Sequence, residues 1–106
     1  MEMIYFKSYT TEKGVMIAMC DKELIDSILT EGEVVIDVKS YSSFYKGDLL
    51  NPTTAKQKLD LHKESIYSAN IVGKESVDIA IEKSIIVSDN VKQVSGVPYA
   101  QAYRII

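Results

Sequence analysis

Alternation of apolar and polar positions predicts strands at both ends of the chain. Residues 3–9 and 15–20 are rich in β-branched and aromatic side chains, and the polar connection between them ends in Gly14. Short alternating runs joined by a glycine-containing turn favour a β-hairpin. Further strands are predicted over residues 33–38, 91–94 and 99–106.

Helical spacing and capping residues predict three helices between these strands. Asp21 is a suitable N-cap for a first helix that ends at Gly32. Its apolar stripe would consist of Leu24, Ile25, Ile28 and Leu29. A second helix, with Pro52 in its first turn, is predicted to extend to residue 69, because apolar residues recur in steps of three and four. A third helix over residues 74–84 is predicted to follow Gly73, a cap or break.

This order of elements predicts one α+β domain spanning residues 1–106. We expect a two-layer sandwich, in which a small mixed or antiparallel sheet carries about three helices packed mainly on one face. The length is near the common domain size, and the composition, 46% hydrophobic and 25% charged, is typical of a chain that buries a core.

Charge is unevenly distributed along the chain. The formal net charge is −3, yet residues 39–74 carry six lysines against three acids. An acidic total is unusual for a nucleic-acid-binding protein, whereas a basic middle third offers either a local positive face or simply solvated helix surfaces.

Targeting and redox features favour the cytoplasm. A single cysteine excludes an internal disulfide, and the acidic, short apolar start lacks the features of a signal peptide. No apolar run approaches the roughly 18–20 residues of a membrane span, so no membrane association is expected.

Catalytic and metal chemistry is poorly supported by the sequence. Cys20 precedes a predicted helix, which can activate a thiol, but the charge of Asp21 opposes ionisation and a core role is the simpler interpretation. His62 falls on the apolar stripe of the second helix, and a dyad with Cys20 would need both in one cleft. We therefore predict no catalytic residue, no metal site and no cofactor, and a binding protein rather than an enzyme.

Three segments are candidates for binding. Tyr41, Phe44, Tyr45 and Lys46 combine aromatic rings with a cation, as in sites for single-stranded RNA or peptides, or else they plug the core. Residues 73–76 resemble the end of a P-loop, but the first glycine is missing and a helix is predicted to precede them, so only a weak anion site stays open. Residues 96–101 predict a kink that forms either a binding lip or a simple bend.

The runs at residues 16–24, 68–77 and 96–101 together resemble DUF424, an archaeal family of small proteins described as a domain of unknown function. The resemblance implies an archaeal cytoplasmic α+β protein, and the genomic neighbours of such genes suggest a role linked to translation. It also directs attention to contact positions within the second and third runs. With the aromatic segment, the candidate binding residues are Tyr45, Lys46, Asn70, Gly73, Lys74, Gly96, Pro98, Tyr99 and Gln101.

Two functional hypotheses follow. The first is an accessory protein that contacts a protein or ribonucleoprotein partner in translation or RNA metabolism, with direct RNA binding weakened by the acidic total. The alternative is a small ligand-binding domain or enzyme with a cleft near Cys20, His62 and the kink at residues 96–101. Assembly into a homodimer through an edge strand is a further possibility.

Overall fold

Six strands form one mixed sheet in the order β5-β1-β2-β6-β8-β7, and β3 and β4 form a separate two-stranded sheet. The computed structural model describes residues 2–103. The strands are β1 (Ile4–Thr11), β2 (Gly14–Asp21), β3 (Ile28–Glu31), β4 (Val34–Asp37), β5 (Asp48–Leu50), β6 (Ile66–Val72), β7 (Lys92–Val94) and β8 (Val97–Tyr103). The helices are α1 (Ser42–Tyr45), α2 (Pro52–His62) and α3 (Lys74–Glu82).

The first face of the large sheet carries the main core. Side chains of β1, β2 and β6 that point to this face pack against α2 and α3, with Leu59 and Ala80 fully buried between the layers. The predicted α+β class, with helices mainly on one face of a mixed sheet, is confirmed. Only β2 and β6 run parallel among the neighbouring strands of this sheet.

The second face is covered only in part. The β3–β4 hairpin and α1 contribute Val38 and Tyr45 to a second buried cluster with Ala18, Cys20 and Val72 of the sheet. This cover ends part-way along β8, where Gln101 and Tyr103 are exposed. The second face therefore has a closed half and an open half, and the open half positions the candidate site.

The predicted first helix is wrong. After Asp21 the chain makes a single 3-10 turn, Lys22–Leu24, and then enters β3. The apolar residues of this segment alternate inward and outward once the hairpin forms: Leu29 pairs with Ile36 and packs on the sheet, whereas Ile28 is 54% exposed. Pairing with β4 across a tight turn overrides the local helical spacing.

The predicted second helix is correct at its start and wrong at its end. Asn51 caps α2 by accepting a hydrogen bond from the backbone N–H of Thr54 (2.8 Å), but α2 ends at His62. The run expected to continue it is β6, a strand buried on both faces between β2 and β8. A register shift between β2 and β6 leaves Ile66 and Ala69 on the same face, as a helix would also do. Spacing alone cannot separate the two structures in a short apolar run.

The remaining predictions are close to the structure. The β1–β2 hairpin, the third helix after Gly73 and the short strand near residue 92 are all present. Ser95 and Gly96 both have positive φ, 49° and 77°, and make the turn from β7 to β8. The last strand therefore begins at Val97, two residues earlier than predicted, and its predicted end at residues 104–106 lies outside the described residues.

Candidate functional site: an open amide groove and a closed carboxylate cap

A groove of about 320 Å³ lies on the open half of the second face. Its lining residues are Tyr41, Phe44, Tyr45, Asn70 and Gln101, and we call it the amide groove. A neighbouring pocket of about 180 Å³, beneath β4, shares Tyr41, Tyr45 and Gln101 with it. The shared residues place the two pockets side by side, between the sheet and the segment that contains α1.

The floor of the amide groove consists of two amides held in register. Asn70 of β6 lies directly opposite Gln101 of β8. Their neighbours Ala69, Ile71 and Ala100 point into the core, so alternation directs both amides to the second face. Within residues 2–103, the Asn70 side chain makes one hydrogen bond, a weak one from Nδ2 to the sulfur of Met16 at 4.0 Å. Among the described residues no hydrogen bond engages the Gln101 side chain, which is exposed.

The wall of the groove is aromatic and rigidly held. The Phe44 ring stacks on Tyr9, with centroids 5.2 Å apart, and meets the edge of Tyr45 at 5.1 Å. The Tyr9 hydroxyl donates to the carbonyl of Phe44 (2.8 Å), which fixes the short helix α1 to β1. Burial raises the pKa of Tyr45 to about 12, with a further contribution from Cys20, so its hydroxyl stays neutral. At the rim, Tyr41 is 64% exposed.

Charge around this wall is mainly positive. Lys39 and Lys46 are exposed on either side of the aromatic segment, and Lys7 donates to the carbonyl of Ser43 (3.1 Å). The one carboxylate that lines the adjoining pocket belongs to Asp37. Hydrogen bonds from Ser40 engage that carboxylate and hold the pKa of Asp37 below its usual value.

Just beyond the carboxyl end of β6, a buried carboxylate closes the N-terminus of α3. Asp21 is only 3% exposed, and it accepts hydrogen bonds from the backbone N–H of Glu75 (3.1 Å) and from both the N–H and the hydroxyl of Ser76 (2.8 and 2.7 Å). Burial raises the pKa of Asp21, and the hydrogen bonds counter part of that rise. Asp21 was predicted to cap a helix that begins next to it, but it caps one that begins more than fifty residues later.

Gly73 makes this cap possible. Its φ of 110° is in a region that side-chain-bearing residues rarely adopt, and a Cβ placed on it would overlap the carboxylate carbon of Asp21. Its N–H donates to the carbonyl of Pro98 (2.8 Å). We call Asp21, Gly73, Glu75 and Ser76 the carboxylate cap.

The carboxylate cap settles the P-loop comparison. A strand does precede Gly73, so the predicted helix before it is wrong. Nevertheless, the N–H groups of Glu75 and Ser76 that would hold a phosphate already bind the carboxylate of Asp21. The sequence left open a weak anion site at this position. That prediction is wrong, because the carboxylate of Asp21 occupies the N-terminus of α3.

Three of the predicted binding residues lie not at the amide groove but at a second cavity of about 490 Å³. Lys74, Gly96 and Pro98 line it, together with residues of α3 and β7. The ammonium of Lys74 is paired with Asp78 at 2.9 Å on its rim.

The cleft proposed near Cys20 and His62 is wrong. Cys20 is fully buried in the cluster on the second face, whereas α2, which ends at His62, packs on the first. The sheet itself separates them. Burial raises the pKa of the Cys20 thiol to about 12, with further contributions from Asp21 and Glu23, so the nucleophilic thiolate does not form near neutral pH.

The candidate residues outside the second cavity divide among three further environments. Tyr45, Asn70 and Gln101 meet in the amide groove, and Tyr99 lines the small pocket that extends from it beneath Ile36. Gly73 belongs to the carboxylate cap. Lys46 is exposed beside the aromatic wall.

Sequence reasoning missed two residues next to the amide pair on the second face. Tyr103, which is 81% exposed, lies two residues beyond Gln101 and therefore on the same face. Opposite it in β6 is Ser68, which is 98% buried, and its hydroxyl makes no hydrogen bond within residues 2–103. Alternation from Gln101 would have identified Tyr103, but the signal for Ser68 was hidden because β6 was predicted to be helical.

Comparison with known proteins agrees with this architecture. The family model described as "Protein of unknown function (DUF424)" matches residues 9–105. The chain belongs to the DUF424 family. The crystal structure of an uncharacterized conserved protein from Methanopyrus kandleri is similar to this DUF424 chain, with a TM-score of 0.78 and 19% identity over 97% of this chain and 92% of that one. At that identity the likeness extends to the fold alone. No curated protein matches the sequence.

Membrane-spanning helices and clusters of metal ligands are both absent from the part of the chain that the structure describes. None of its helices combines the length and the apolar character needed to cross a membrane. Within residues 2–103, no three side chains of the metal-ligating types come together.

Proposed function

We propose that this DUF424 protein is a non-enzymatic binding domain that contacts a ribonucleoprotein partner through the amide groove. The observation that carries the proposal is the pair of amides, Asn70 and Gln101, aligned in the open beneath a fixed aromatic wall. Both amides keep donor and acceptor capacity for a partner.

The chemistry around the groove favours binding over catalysis. Cys20 is buried and its thiol is protonated, and His62 lies on the opposite side of the sheet from the groove. Neither can act on a ligand held by Asn70 and Gln101. What remains at the groove is contact chemistry: aromatic faces, neutral hydrogen-bonding groups and two flanking lysines.

A ribonucleoprotein fits these groups better than a plain protein surface. Tyrosine is common in contact surfaces of both kinds, but exposed rings beside amides and lysines match the way unpaired bases are held. The task in translation or RNA metabolism, and the cytoplasm as its place, are part of this proposal and derive from the family resemblance.

Affinity capture with a matched pair of variants tests the proposal. The tagged protein is incubated with lysate of the source organism, with and without ribonuclease, and bound RNA and proteins are identified by sequencing and mass spectrometry. We compare Gln101→Ala in the groove with Gln93→Ala, which removes the same exposed side chain from β7 at the second cavity.

We expect the wild type and Gln93→Ala to enrich the same ribonucleoprotein components, and Gln101→Ala to lose most of them. Capture that is equal for all three proteins, or that contains no ribonucleoprotein component, would show the proposal to be wrong. Loss with Gln93→Ala alone would move the binding surface to the second cavity.

A further inference from the structure

We infer that the amide groove binds single-stranded RNA directly, stacking a base on Tyr41 and contacting the edge of that base with Asn70 and Gln101. This inference rests on the proposed function and names the ligand of that same groove. It follows from four features of the open half of the second face.

The first feature is the geometry of the amide pair. Residues directly opposite in an antiparallel pair have Cα atoms roughly 4.5–5.5 Å apart, so the two side chains of Asn70 and Gln101 project from nearly one place. Each amide places an N–H donor beside a carbonyl acceptor. Bases present the same adjacent donors and acceptors on their exposed edges, which is why Asn and Gln pair with them through two hydrogen bonds.

The second feature is the pair of exposed rings that flank the amides. Tyr41 is 64% exposed at the groove rim, and Tyr103 is 81% exposed, two residues further along β8 than Gln101. Two residues of strand span about 7 Å. A strand of RNA that stacks one base on Tyr41 and contacts the amides would, if it continued along β8, approach the exposed ring of Tyr103.

The third feature is the unsatisfied hydroxyl of Ser68. It is on the same face as Asn70, two residues earlier in β6 and opposite Tyr103, and it is 98% buried. Its Oγ has no partner among the described residues. Buried polar groups without partners are rare in native proteins, and each one needs an explanation. Here it shows that hydrogen bonding within the protein is incomplete beside the groove, at a position that a ligand reaches only if the covering side chains move.

The fourth feature is charge. Lys39 and Lys46 are exposed just before and just after the aromatic segment in the chain, so both are available to a sugar–phosphate backbone that passes this segment. The net charge of −3 weakens non-specific attraction to RNA. Binding would then depend on the groove itself and show only a shallow response to salt.

An extended peptide is the competing occupant. On the side of β8 that pairs with β7, the paired residues end at Tyr99, so within the described residues the later part of that edge lacks a partner strand. Addition of a peptide strand there would rely on backbone hydrogen bonds and would hardly depend on Tyr41, which is on α1's side of the groove. The contribution of Tyr41 therefore separates the two occupants.

Fluorescence anisotropy of the purified protein with labelled single-stranded RNAs tests the inference. We use oligonucleotides of about eight residues, all-uridine and all-adenosine, at salt concentrations of about 50 and 200 mM. The variants are Tyr41→Ala, Asn70→Ala and Gln101→Ala, with Gln93→Ala as the matched control. Circular dichroism melts check that each variant is folded.

We expect Tyr41→Ala to weaken binding roughly 5- to 150-fold, the range for loss of one base stacked on an aromatic ring. Asn70→Ala and Gln101→Ala should weaken binding and also reduce the difference in affinity between the two RNAs. Gln93→Ala should stay within about twofold of the wild type, since exposed positions outside the site contribute little.

Two results would overturn the inference. One is the absence of binding at low salt while ribonuclease-resistant capture continues, which would leave the proposed function standing with a protein as the contact. The other is RNA binding of equal strength in wild type, Tyr41→Ala and Gln101→Ala, which would place the RNA elsewhere. Loss of both RNA binding and capture in the wild type would overturn the inference and the proposed function together.

Discussion

The carboxylate cap and the amide groove are polar clusters on adjacent strands of one sheet, and they differ in how completely their hydrogen bonds are made. In the cap, Asp21 is buried and both carboxylate oxygens accept bonds from the start of α3. In the groove, Asn70 lies in β6, three residues before Gly73. Within the described residues its side chain makes one weak hydrogen bond, and the side chain of Gln101 opposite it makes none.

This difference separates a structural role from a binding role. Burying a polar group is costly unless it is hydrogen-bonded, so the cap is satisfied internally and has no capacity left for a ligand. Groups that are aligned but unsatisfied keep that capacity. The run at residues 68–77, conspicuous in the sequence, therefore contains both kinds of site.

Gly73→Ala is expected to have the largest effect. The new Cβ would overlap the Asp21 carboxylate and would force an unfavourable φ, so we predict a loss of unfolding free energy above about 4 kcal/mol, or failure to fold. Chemical denaturation followed by circular dichroism measures it.

Gly96→Ala is the matched control for this prediction. Gly96 also has a positive φ, of 77°, but nothing lies within 4 Å of its added Cβ. Only the backbone penalty of about 1–2 kcal/mol should remain. Equal losses for the two variants would mean that the carboxylate cap is not the reason for glycine at position 73.

Asp21→Asn should cost less, about 1–3 kcal/mol at neutral pH. The amide oxygen can keep the bonds from Ser76, but the amide nitrogen would face the N–H of Glu75 as a second donor. Denaturation of wild type and variant measures the loss, and an unchanged free energy would contradict the assignment of Asp21 as the cap.

The same pair of proteins gives a pH test with a defined sign. Burial places the folded-state pKa of Asp21 above its ordinary value of 3.8, so the folded protein holds the proton more tightly than the unfolded chain. The contribution of Asp21 to stability is then greatest below pH 3.8 and falls as the pH rises through the folded-state pKa. The difference in unfolding free energy between wild type and Asp21→Asn should therefore decrease as the pH rises across that window. An increase with pH would show that the hydrogen bonds lower the pKa of Asp21 by more than burial raises it.

The smallest predicted effects come from two buried serines, one whose hydroxyl is hydrogen-bonded and one whose hydroxyl is not. Ser76 donates its hydroxyl to Asp21, so Ser76→Ala should cost about 1 kcal/mol, whereas Ser68→Ala removes an unsatisfied hydroxyl and should be neutral or stabilise by up to about 1 kcal/mol. Thermal and chemical denaturation measure both. A clear loss for Ser68→Ala would show that its hydroxyl has a partner in solution and would remove one support for the groove.

Several parts of this comparison could be predicted from local sequence. The hairpin of β1 and β2, the capped start of α2, the position of α3 and the turn at Gly96 all depend on residues close together in the chain. Asn70, Gly73 and Gln101 are among the contact positions to which the family resemblance directs attention, but the sequence could not separate the structural glycine from the two amides of the groove.

The failures have one physical cause, which is that neighbours distant in sequence decided the outcome. β6 is a strand because β2 and β8 hydrogen-bond to it on both sides, and the segment after Asp21 is a hairpin because it pairs with β4. Burial of Cys20 beneath that hairpin removed the proposed cleft.

The sequence by itself determined the α+β class and the DUF424 family, since these depend on composition, local periodicity and short motifs. Only the tertiary structure decided which polar side chains are hydrogen-bonded within the protein and which keep hydrogen-bonding capacity for a partner. Asp21 accepts hydrogen bonds from the start of α3, and Asn70 of β6 lies opposite Gln101 of the neighbouring strand β8. Such pairings depend on burial and register, which arise only when the whole chain packs.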